Sequence, residues 1–414
     1  MIGVLGNTWP LLLGVMLLMV GNGVQASLLG IRGAIEGFST YQMSLVMSAY
    51  FVGFLGGSRL APGMIRRVGH VRVFAALGSL ISAVLILYAT IPDWIVWTAM
   101  RVVIGFCFAG VYVTAESWLN DSATNETRGQ ALSAYMIVQM IGIIAAQALL
   151  NAGDPSGFLL FVIPSVLVSL AFTPILLKAG TAPAFAETRR LPFRELLRAS
   201  PLGCAGMLMT GGIYSAMFGM GAVWGSLVGL TVAEISIFVG IMYVGGLLLQ
   251  YPVGWLSDRM DRRRLILGLA ALGSAAMLFA GLFATSFPMF VVLAFVLGGV
   301  VNPLYSLLIA HTNDFLPRES MAAGSAGLLF INGLGAIAGP LVTGWMMSVI
   351  GPGGFFLFIA ALLGLLALYA LWRMSRRAAP VDTGNFAVMA PSASVVAVEA
   401  VLEGAQSAGE PAAE

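Results

Sequence analysis

The chain has 414 residues, of which 59% are hydrophobic and only 9% are charged, and its mean hydropathy is +0.96. Soluble domains are roughly half apolar and about a quarter charged, so this composition excludes a soluble globular protein and indicates a membrane protein. The formal net charge of +2 is too small to indicate nucleic-acid binding. The two cysteines, Cys107 and Cys204, lie inside apolar runs, which favours buried thiols over a disulfide or a metal site, and no cofactor is predicted.

Twelve apolar segments follow one another along the chain. A helix that spans a bilayer needs about 20 predominantly apolar residues. Backbone groups in lipid must bond within their own segment, and no alternating barrel pattern is present, so all twelve are predicted to be helices. The first segment lacks a basic N-terminal region and is predicted to be a span rather than a signal peptide. The segments are 9–29, 44–63, 72–90, 94–116, 130–150, 158–177, 202–224, 234–254, 265–283, 288–310, 321–345 and 354–372.

The basic residues fall on one side of the membrane when these spans alternate. With a cytoplasmic N-terminus, eighteen of the 20 Lys and Arg residues lie inside, Arg32 lies outside and Arg101 lies within a span. Cytoplasmic loops carry an excess of Lys and Arg, so both termini are predicted to be cytoplasmic. We therefore expect a multi-pass protein of the cell (inner) membrane that contacts the lipid bilayer.

The longest internal loop separates six spans from six. We predict an N-terminal six-helix bundle over 1–178, a cytoplasmic loop over 179–200, a C-terminal six-helix bundle over 201–377 and a disordered cytoplasmic tail over 378–414. A shift of 193 positions aligns Gly105 with Gly298 and Gly142 with Gly335. This shared offset indicates a parallel repeat. The predicted fold class is an all-α membrane protein with twelve transmembrane helices in two parallel six-helix repeats, an architecture that holds substrate between its halves near mid-membrane.

One cytoplasmic stretch is unusually polar for this chain. In "GWLSDRMDRRRL", Gly254 to Leu265, six of the seven positions from Asp258 to Arg264 are charged. It resembles the loop signature of the major facilitator superfamily, in which a Gly is followed by Asp-Arg and then by a basic cluster. The first half carries "PGMIRRVGHVRV" at the corresponding place, with Arg66 where the family has Asp. Arg101 and Gly105 in span four also resemble a family feature.

Two further motifs narrow this resemblance. "AESWLND" and "RGQALSAYM", starting at Ala115 and Arg128, are similar to the YcaD-type branch of the superfamily. Span five has Gly142 but no following Pro, whereas drug:proton antiporters of the family carry Gly-Pro there. "GLGAIAGP", Gly333 to Pro340, places a similar pattern in span eleven instead. The sequence therefore does not support a drug-efflux assignment.

The resemblance implies a conformational latch at the inner ends of the helices. In the second half, Asp258 is expected to cap a neighbouring helix N-terminus and Arg259 to pair with Asp314. In the first half, Glu116 at the end of span four is expected to pair with Arg67 or Arg66. The alternative is that these charges only orient the protein and end its helices. The residues assigned to the latch are Arg66, Arg67, Glu116, Gly254, Asp258, Arg259 and Asp314.

Polar residues inside the spans are the candidates for substrate binding. A cation inside a span costs several kcal/mol unless it is paired or wetted, so Arg101 is a functional candidate. It binds an anionic group of the substrate, or it bonds neighbouring helices and tunes proton affinity; the second interpretation is favoured. For the other candidates the alternative is an interhelical hydrogen bond worth only about 0.6 kcal/mol. The candidates are Asn22, Gln25, Arg101, Gln139, Gln147, Tyr214, Tyr243, Asn302, Tyr305 and Asn332.

These features predict a monomeric transporter that moves a small solute by alternating access of two six-helix bundles. No phosphate-binding Gly-x-x-x-x-Gly-Lys loop is present, so ATP is not expected to drive it directly, and facilitated and proton-coupled transport both remain open. Polar but uncharged cavity residues predict a neutral, amphipathic or singly anionic solute. No enzymatic constellation is found. The alternative function is a non-transporting sensor or lipid-handling protein on the same fold.

Overall fold

The computed structural model describes residues 2–122, 128–173 and 191–376. This part of the chain is all-α, and the short helix Phe193–Ala199 precedes the second half. The predicted tail, most of the predicted loop over 179–200 and the end of span six lie outside the described residues. The long helices are α1 Ile2–Ile35, α2 Thr40–Val68, α3 His70–Thr90, α4 Trp94–Ser122, α5 Arg128–Leu149, α6 Leu159–Ala171, α7 Pro201–Leu227, α8 Val232–Ser257, α9 Arg262–Phe283, α10 Phe287–Asn313, α11 Met321–Ile350 and α12 Gly354–Arg376.

Eleven of these helices, within the described residues, are long and apolar enough to cross a membrane, and α6 is shorter. Several helices extend beyond the predicted segments; α2, for example, has 29 residues. The hydrocarbon core is about 30 Å thick and the helix rises about 1.5 Å per residue, so such a helix continues past the apolar region. A hydropathy window finds the apolar part of a span and misses its polar ends.

The helices α2 and α8 begin with the same kind of N-terminal cap. Ser39 before α2 and Thr231 before α8 each accept a hydrogen bond from the backbone N–H three residues on, at Gln42 and Glu234. The side chains of Gln42 and Glu234 accept from the cap backbone in return, which completes a capping box at both helices. The two boxes are 192 residues apart, close to the 193-residue offset found in the sequence.

Close backbone contacts also recur in the two halves. A Cβ on Gly105 of α4 would overlap the carbonyl oxygen of Tyr50 in α2, and a Cβ on Gly298 of α10 would overlap that of Met242 in α8. Small residues allow membrane helices to approach this closely. The pairs α2 with α4 and α8 with α10 are therefore packed by the same device.

The two sets of helices, α1–α6 and α7–α12, are here called the first and second half. Between them, α2 packs against α11, α5 against α8 and α1 against α7. The Ser48 hydroxyl of α2 donates to the carbonyl oxygen of Ile337 in α11 at 2.6 Å. The Asn151 amide, just beyond α5, donates to the Ser236 hydroxyl of α8 at 3.3 Å. The centre of the molecule is therefore bounded by helices from both halves.

Candidate functional site

Arg101 is buried in the middle of the first half and is held by side chains from two other helices. Its guanidinium donates to the Gln25 side-chain carbonyl of α1 at 3.1 Å and lies 4.8 Å from the ring centre of Tyr50 in α2. A second guanidinium nitrogen lies 3.4 Å from the Met47 sulfur. These contacts join three helices, which fits the predicted role of bonding neighbouring helices.

A hydrogen-bonded chain continues from Arg101 through α1. The Gln25 amide donates to the Asn22 carbonyl at 3.1 Å, and the Asn22 amide donates to the Tyr112 hydroxyl at 2.9 Å. The structure thus brings three predicted candidates, Asn22, Gln25 and Arg101, into one network. Tyr50 and Tyr112 belong to the same network but were not predicted. Their spacing in apolar spans is equally typical of aromatic residues in a packed core. The sequence therefore gave no signal that distinguished a core residue from a residue of this network.

A group of aromatic rings occupies the facing part of the second half. The Phe218 ring centre lies 4.6 Å from that of Tyr214 in the same helix and 4.2 Å from that of Tyr243 in α8. All three side chains are only half-buried. We call Tyr214, Phe218 and Tyr243 the aromatic group. Two of its members were predicted as candidates, whereas Phe218 was not.

The aromatic group faces the Arg101 network across the boundary between the halves. Tyr243 lies near Tyr50 and Tyr112, and Gly219, next to Phe218, lies against Met47 of α2. Tyr50 is itself half-buried although it contacts Arg101 and points away from the outer surface of α2. Partly exposed rings of the two halves therefore face each other at the boundary between the halves.

The other predicted candidates mainly join helices. The Asn332 amide of α11 donates to the Met207 carbonyl oxygen of α7 at 3.1 Å, and the Asn302 amide donates to the Gly298 carbonyl oxygen of its own helix. The Gln147 side chain accepts from the Ser27 hydroxyl at 3.0 Å. Gln139 and Tyr305 are buried. The hydrogen bonds described for Asn332, Asn302 and Gln147 do not connect these three residues to the Arg101 network.

In the second half, Asp314 pairs with a different arginine from the one expected. Arg262 pairs with Asp314 at 2.5 Å, and both side chains are almost fully buried, at 2% and 3% exposure. Arg259 instead lies over the Trp255 ring at 4.1 Å. The predicted Arg259–Asp314 pair is wrong, because Arg262 rather than Arg259 is on the side of the loop that meets α10. The sequence showed the cluster of basic residues in this loop, but it did not show which arginine points into the protein.

Arg262 also connects the loop to two helices. Its Nε donates to the Ser257 hydroxyl at 3.1 Å, and its NH1 lies 3.4 Å from the Ala310 carbonyl oxygen. Asp258 is more remote, with a carboxylate oxygen 3.8 Å from the Arg262 guanidinium. The buried Gly254 carbonyl oxygen accepts the Asp258 backbone N–H. Asp258 ends α8 and is tied to the latch through Arg262.

The N-terminus of the following helix, α9, is capped by Asp261 rather than by Asp258. The Asp261 carboxylate accepts the Arg263 backbone N–H at 2.9 Å and pairs with the Arg263 guanidinium at 2.7 Å. Partial burial raises the pKa of Asp261, but the hydrogen bonds from Arg263 and the charges of Arg263 and Arg264 outweigh it, so the pKa lies below its ordinary value. A carboxylate here also interacts favourably with the helix dipole.

In the first half, Glu116 is bonded to a tyrosine of α5. Glu116 is fully buried and accepts a hydrogen bond from the Tyr135 hydroxyl at 2.9 Å, whereas Arg66 and Arg67 are exposed. Within the described residues no ion pair joins Arg67 to Glu116, and the expected pairing of Glu116 with Arg66 stays a prediction. Glu116 lies on the face of α4 that packs into the protein, whereas the two arginines lie exposed at the end of α2.

A histidine takes the place of the second-half arginine. His70 Nε2 lies 2.9 Å from the Ser117 hydroxyl, and His70 is fully buried. His70 and Arg262 are 192 positions apart, and Ser117 and Ala310, which they respectively contact, are 193 apart. The two halves thus connect the start of the third helix to the end of the fourth by equivalent but chemically different contacts.

The chain is similar to proteins of the major facilitator superfamily. The model of the Major Facilitator Superfamily matches residues 11–232 and 202–402. The MFS-type transporter YcaD of Escherichia coli O7:K1 is 28% identical over 362 residues, which cover 85% of this chain and 91% of that protein. The nucleoside transporter NupG has a TM-score of 0.74 at 15% identity, over 89% of this chain and 99% of that chain.

A second solved structure shares the fold. A bacterial homologue of the human lysosomal transporter Spinster, in an inward-facing and occupied conformation, has a TM-score of 0.69 at 18% identity. The match covers 88% of this chain and 96% of that chain.

Proposed function

The chain belongs to the major facilitator superfamily, and from this premise we propose that it moves a small solute across the membrane by alternating access of two six-helix bundles. Its relatives are membrane transporters rather than enzymes. The observation that carries the proposal is that the Arg101 network of the first half faces the aromatic group of the second half. A site shared by two bundles is what rocking of one bundle against the other exposes to each side in turn.

The proposed bundles are residues 1–178 and 201–377, related by an axis along the membrane normal, with both termini in the cytoplasm of a bacterial cell. Matched capping boxes at Ser39 and Thr231 support the repeat. Matched close approaches at Gly105 and Gly298 support it independently. The distribution of Lys and Arg supports the orientation and hence the inner membrane. The protein is proposed to act as a monomer, because each six-helix half finds its partner in the same chain.

The substrate site is proposed to lie between Asn22, Gln25 and Arg101 on one side and Tyr214 and Tyr243 on the other. The inner-end contacts of Asp258, Arg262 and Asp314 are proposed to act as the latch of the second half. A latch at this loop can shift the equilibrium between two conformations only by the difference between its interaction free energies in those conformations.

A change at Glu116 can distinguish proton-coupled transport from facilitated transport. It is fully buried and bonded to Tyr135. Proton coupling requires a carboxylate that takes up and releases a proton during the cycle, and intramembrane acids mark such relays. A facilitator requires no such group. Glu116→Gln should therefore abolish the effect of a pH gradient on uptake in the first case and leave gradient-independent uptake in the second.

The test starts with purified protein screened for thermal stabilisation by a metabolite library. Hits are then reconstituted in liposomes, and uptake is measured with and without a pH gradient. Saturable uptake that depends on the protein supports the proposal. Ligand binding without flux, under conditions where a known transporter in the same liposomes is active, contradicts it and favours a sensor or lipid-handling protein.

A further inference from the structure

We propose that the central site selects a solute with a planar ring, neutral or singly anionic, and that Phe218 and Tyr243 provide the stacking surface. This inference rests on the proposed transport function, because it names the class of solute that the same site takes. Phe218 and Tyr243 are nearly parallel, with ring centres 4.2 Å apart and 28° between their planes. Their half-exposed state leaves ring surface available to a third ring.

A second aromatic cluster in the same half shows what packing alone produces. Trp224, Phe238, Phe355 and Phe356 pack around one another, with Trp224 and Phe238 centroids 4.8 Å apart. These four side chains are at most 2% exposed. Each of these rings packs against the other rings and against neighbouring helices. The aromatic group has similar spacing but retains exposed surface, so core packing does not account for it.

The backbone at Phe218 departs from a regular α-helix. Ala216–Met220 forms a π-helical segment in the middle of α7, with Phe218 at its centre. A π segment inserts one residue into a helical turn, is less favourable than the regular helix, and occurs frequently at functional sites. Phe218, at the centre of this segment, stacks against Tyr243 of α8. This observation is independent of the ring exposure and supports the same site.

The facing wall of the first half is also aromatic. Tyr50, Phe54 and Tyr112 have ring centres 6.0 Å apart in successive pairs, and Tyr50 and Phe54 are half-buried. A planar solute between Tyr243 and Tyr50 would therefore meet ring faces from both halves. Aromatic pairs in offset-stacked or edge-to-face arrangements gain more free energy than their buried area alone provides. Ring-shaped solutes are thus preferred by shape as well as by area.

Electrostatics limits the charge of the solute. Arg101 holds its positive charge against Tyr50 and Gln25, which are uncharged, and its Nε has no hydrogen-bond partner among the described residues. A cation in this low-dielectric space would be repelled, while one negative charge would be attracted. Hydroxyl and amide groups of Tyr112 and Asn22 can bond polar substituents of a neutral solute. The expected class is therefore a planar-ring solute that carries at most one negative charge.

Three probe molecules separate ring shape from charge in a binding test on the purified full-length protein. Benzoate is a planar monoanion, cyclohexanecarboxylate carries the same charge on a saturated ring, and benzylamine carries a planar ring with a positive charge. Thermal shift and equilibrium dialysis should show benzoate binding about three- to tenfold more tightly than cyclohexanecarboxylate, and benzylamine most weakly. Equal affinity for benzoate and cyclohexanecarboxylate, or no binding of benzoate, overturns the proposal.

Variants assign the preference to the aromatic group. Phe218→Leu and Tyr243→Leu should remove the preference for benzoate over cyclohexanecarboxylate, and Phe218→Tyr should keep it because the ring remains. Phe279→Leu is the matched control, since Phe279 is 46% exposed on the outer surface of α9. An unchanged preference in both leucine variants overturns the proposal even if benzoate binds. If ring preference is present but no solute is taken up by liposomes, transport fails while this inference stands; saturable uptake with no ring preference gives the reverse.

Discussion

The inner ends of the two halves have the same backbone plan and different chemistry. In the second half, the start of the third helix is joined to the fourth by a buried ion pair, Arg262 with Asp314. In the first half, the equivalent place holds a buried histidine, His70, bonded to Ser117. The close approaches of Gly105 and Gly298, by contrast, are alike. Backbone contacts of this kind need glycine and resist change, whereas a side-chain contact can be replaced by another of similar reach.

This difference has a consequence for the conformational cycle. A buried ion pair is costly to break on one side only, because the remaining charge stays buried. A neutral hydrogen bond is worth about 0.5–1.5 kcal/mol and is exchanged with water more easily. We therefore expect the inner end of the second half to be the more rigid of the two.

The largest effect is expected from Arg262→Met. This change leaves Asp314 buried without its arginine and should lower the free energy of unfolding by about 3–5 kcal/mol. Chemical unfolding in detergent measures it. Arg259→Met is the matched control, because Arg259 is exposed over Trp255 and should cost no more than about 1 kcal/mol. If both variants lose similar free energy of unfolding, the result contradicts the assignment of Arg262 rather than Arg259 as the partner of Asp314.

Gly105→Ala and Gly298→Ala should have the next largest effect, and the two effects should be similar. Each new methyl group overlaps a carbonyl oxygen of the neighbouring helix, which typically costs about 1–3 kcal/mol. Gly63→Ala and Gly268→Ala are controls in the two halves, because a Cβ there meets nothing within 4 Å. Melting temperatures should fall in the first pair and hold or rise in the controls. A large difference between Gly105→Ala and Gly298→Ala would argue against equivalent packing.

A smaller effect is expected from His70→Ala. It leaves the buried Ser117 hydroxyl without its partner and should cost about 1 kcal/mol, less than Arg262→Met. His70→Gln retains a side-chain hydrogen-bonding group and should recover part of the loss. The two variants are compared by unfolding in the same detergent. A loss from His70→Ala as large as that from Arg262→Met would remove the proposed difference between the halves.

The smallest change in stability is expected from Asp258→Asn. The Asp258 side chain is 42% exposed and lies 3.8 Å from the Arg262 guanidinium, so the free energy of unfolding should change by less than about 1 kcal/mol. The initial transport rate should nevertheless fall, since Asp258 belongs to the proposed latch. Glu116→Gln should likewise slow transport while the protein remains folded. Wild-type initial rates in both variants would exclude a role for these residues in switching.

The sequence by itself determined the helical architecture. Long apolar runs must form helices in lipid, because no water is present to satisfy their backbone groups. The capping boxes at Ser39 and Thr231 are also local, as a cap depends on residues three positions apart. The shared offset between Gly105 and Gly298 indicated the repeat, and the charged loop at Asp258 indicated the family. All of these depend on properties that neighbouring residues establish without distant partners.

Only the tertiary structure decided which side chains meet. Arg259 and Arg262 are equally basic in the sequence, yet only Arg262 reaches Asp314, because successive residues near a helix end point in different directions around its axis. Tyr50 and Phe218 resemble ordinary core aromatics until the packing of both halves leaves their rings partly exposed at the centre. The π segment at Phe218 likewise appears only in the folded helix. Composition and periodicity specify the helices, but the rotation of each helix against its neighbours specifies the site.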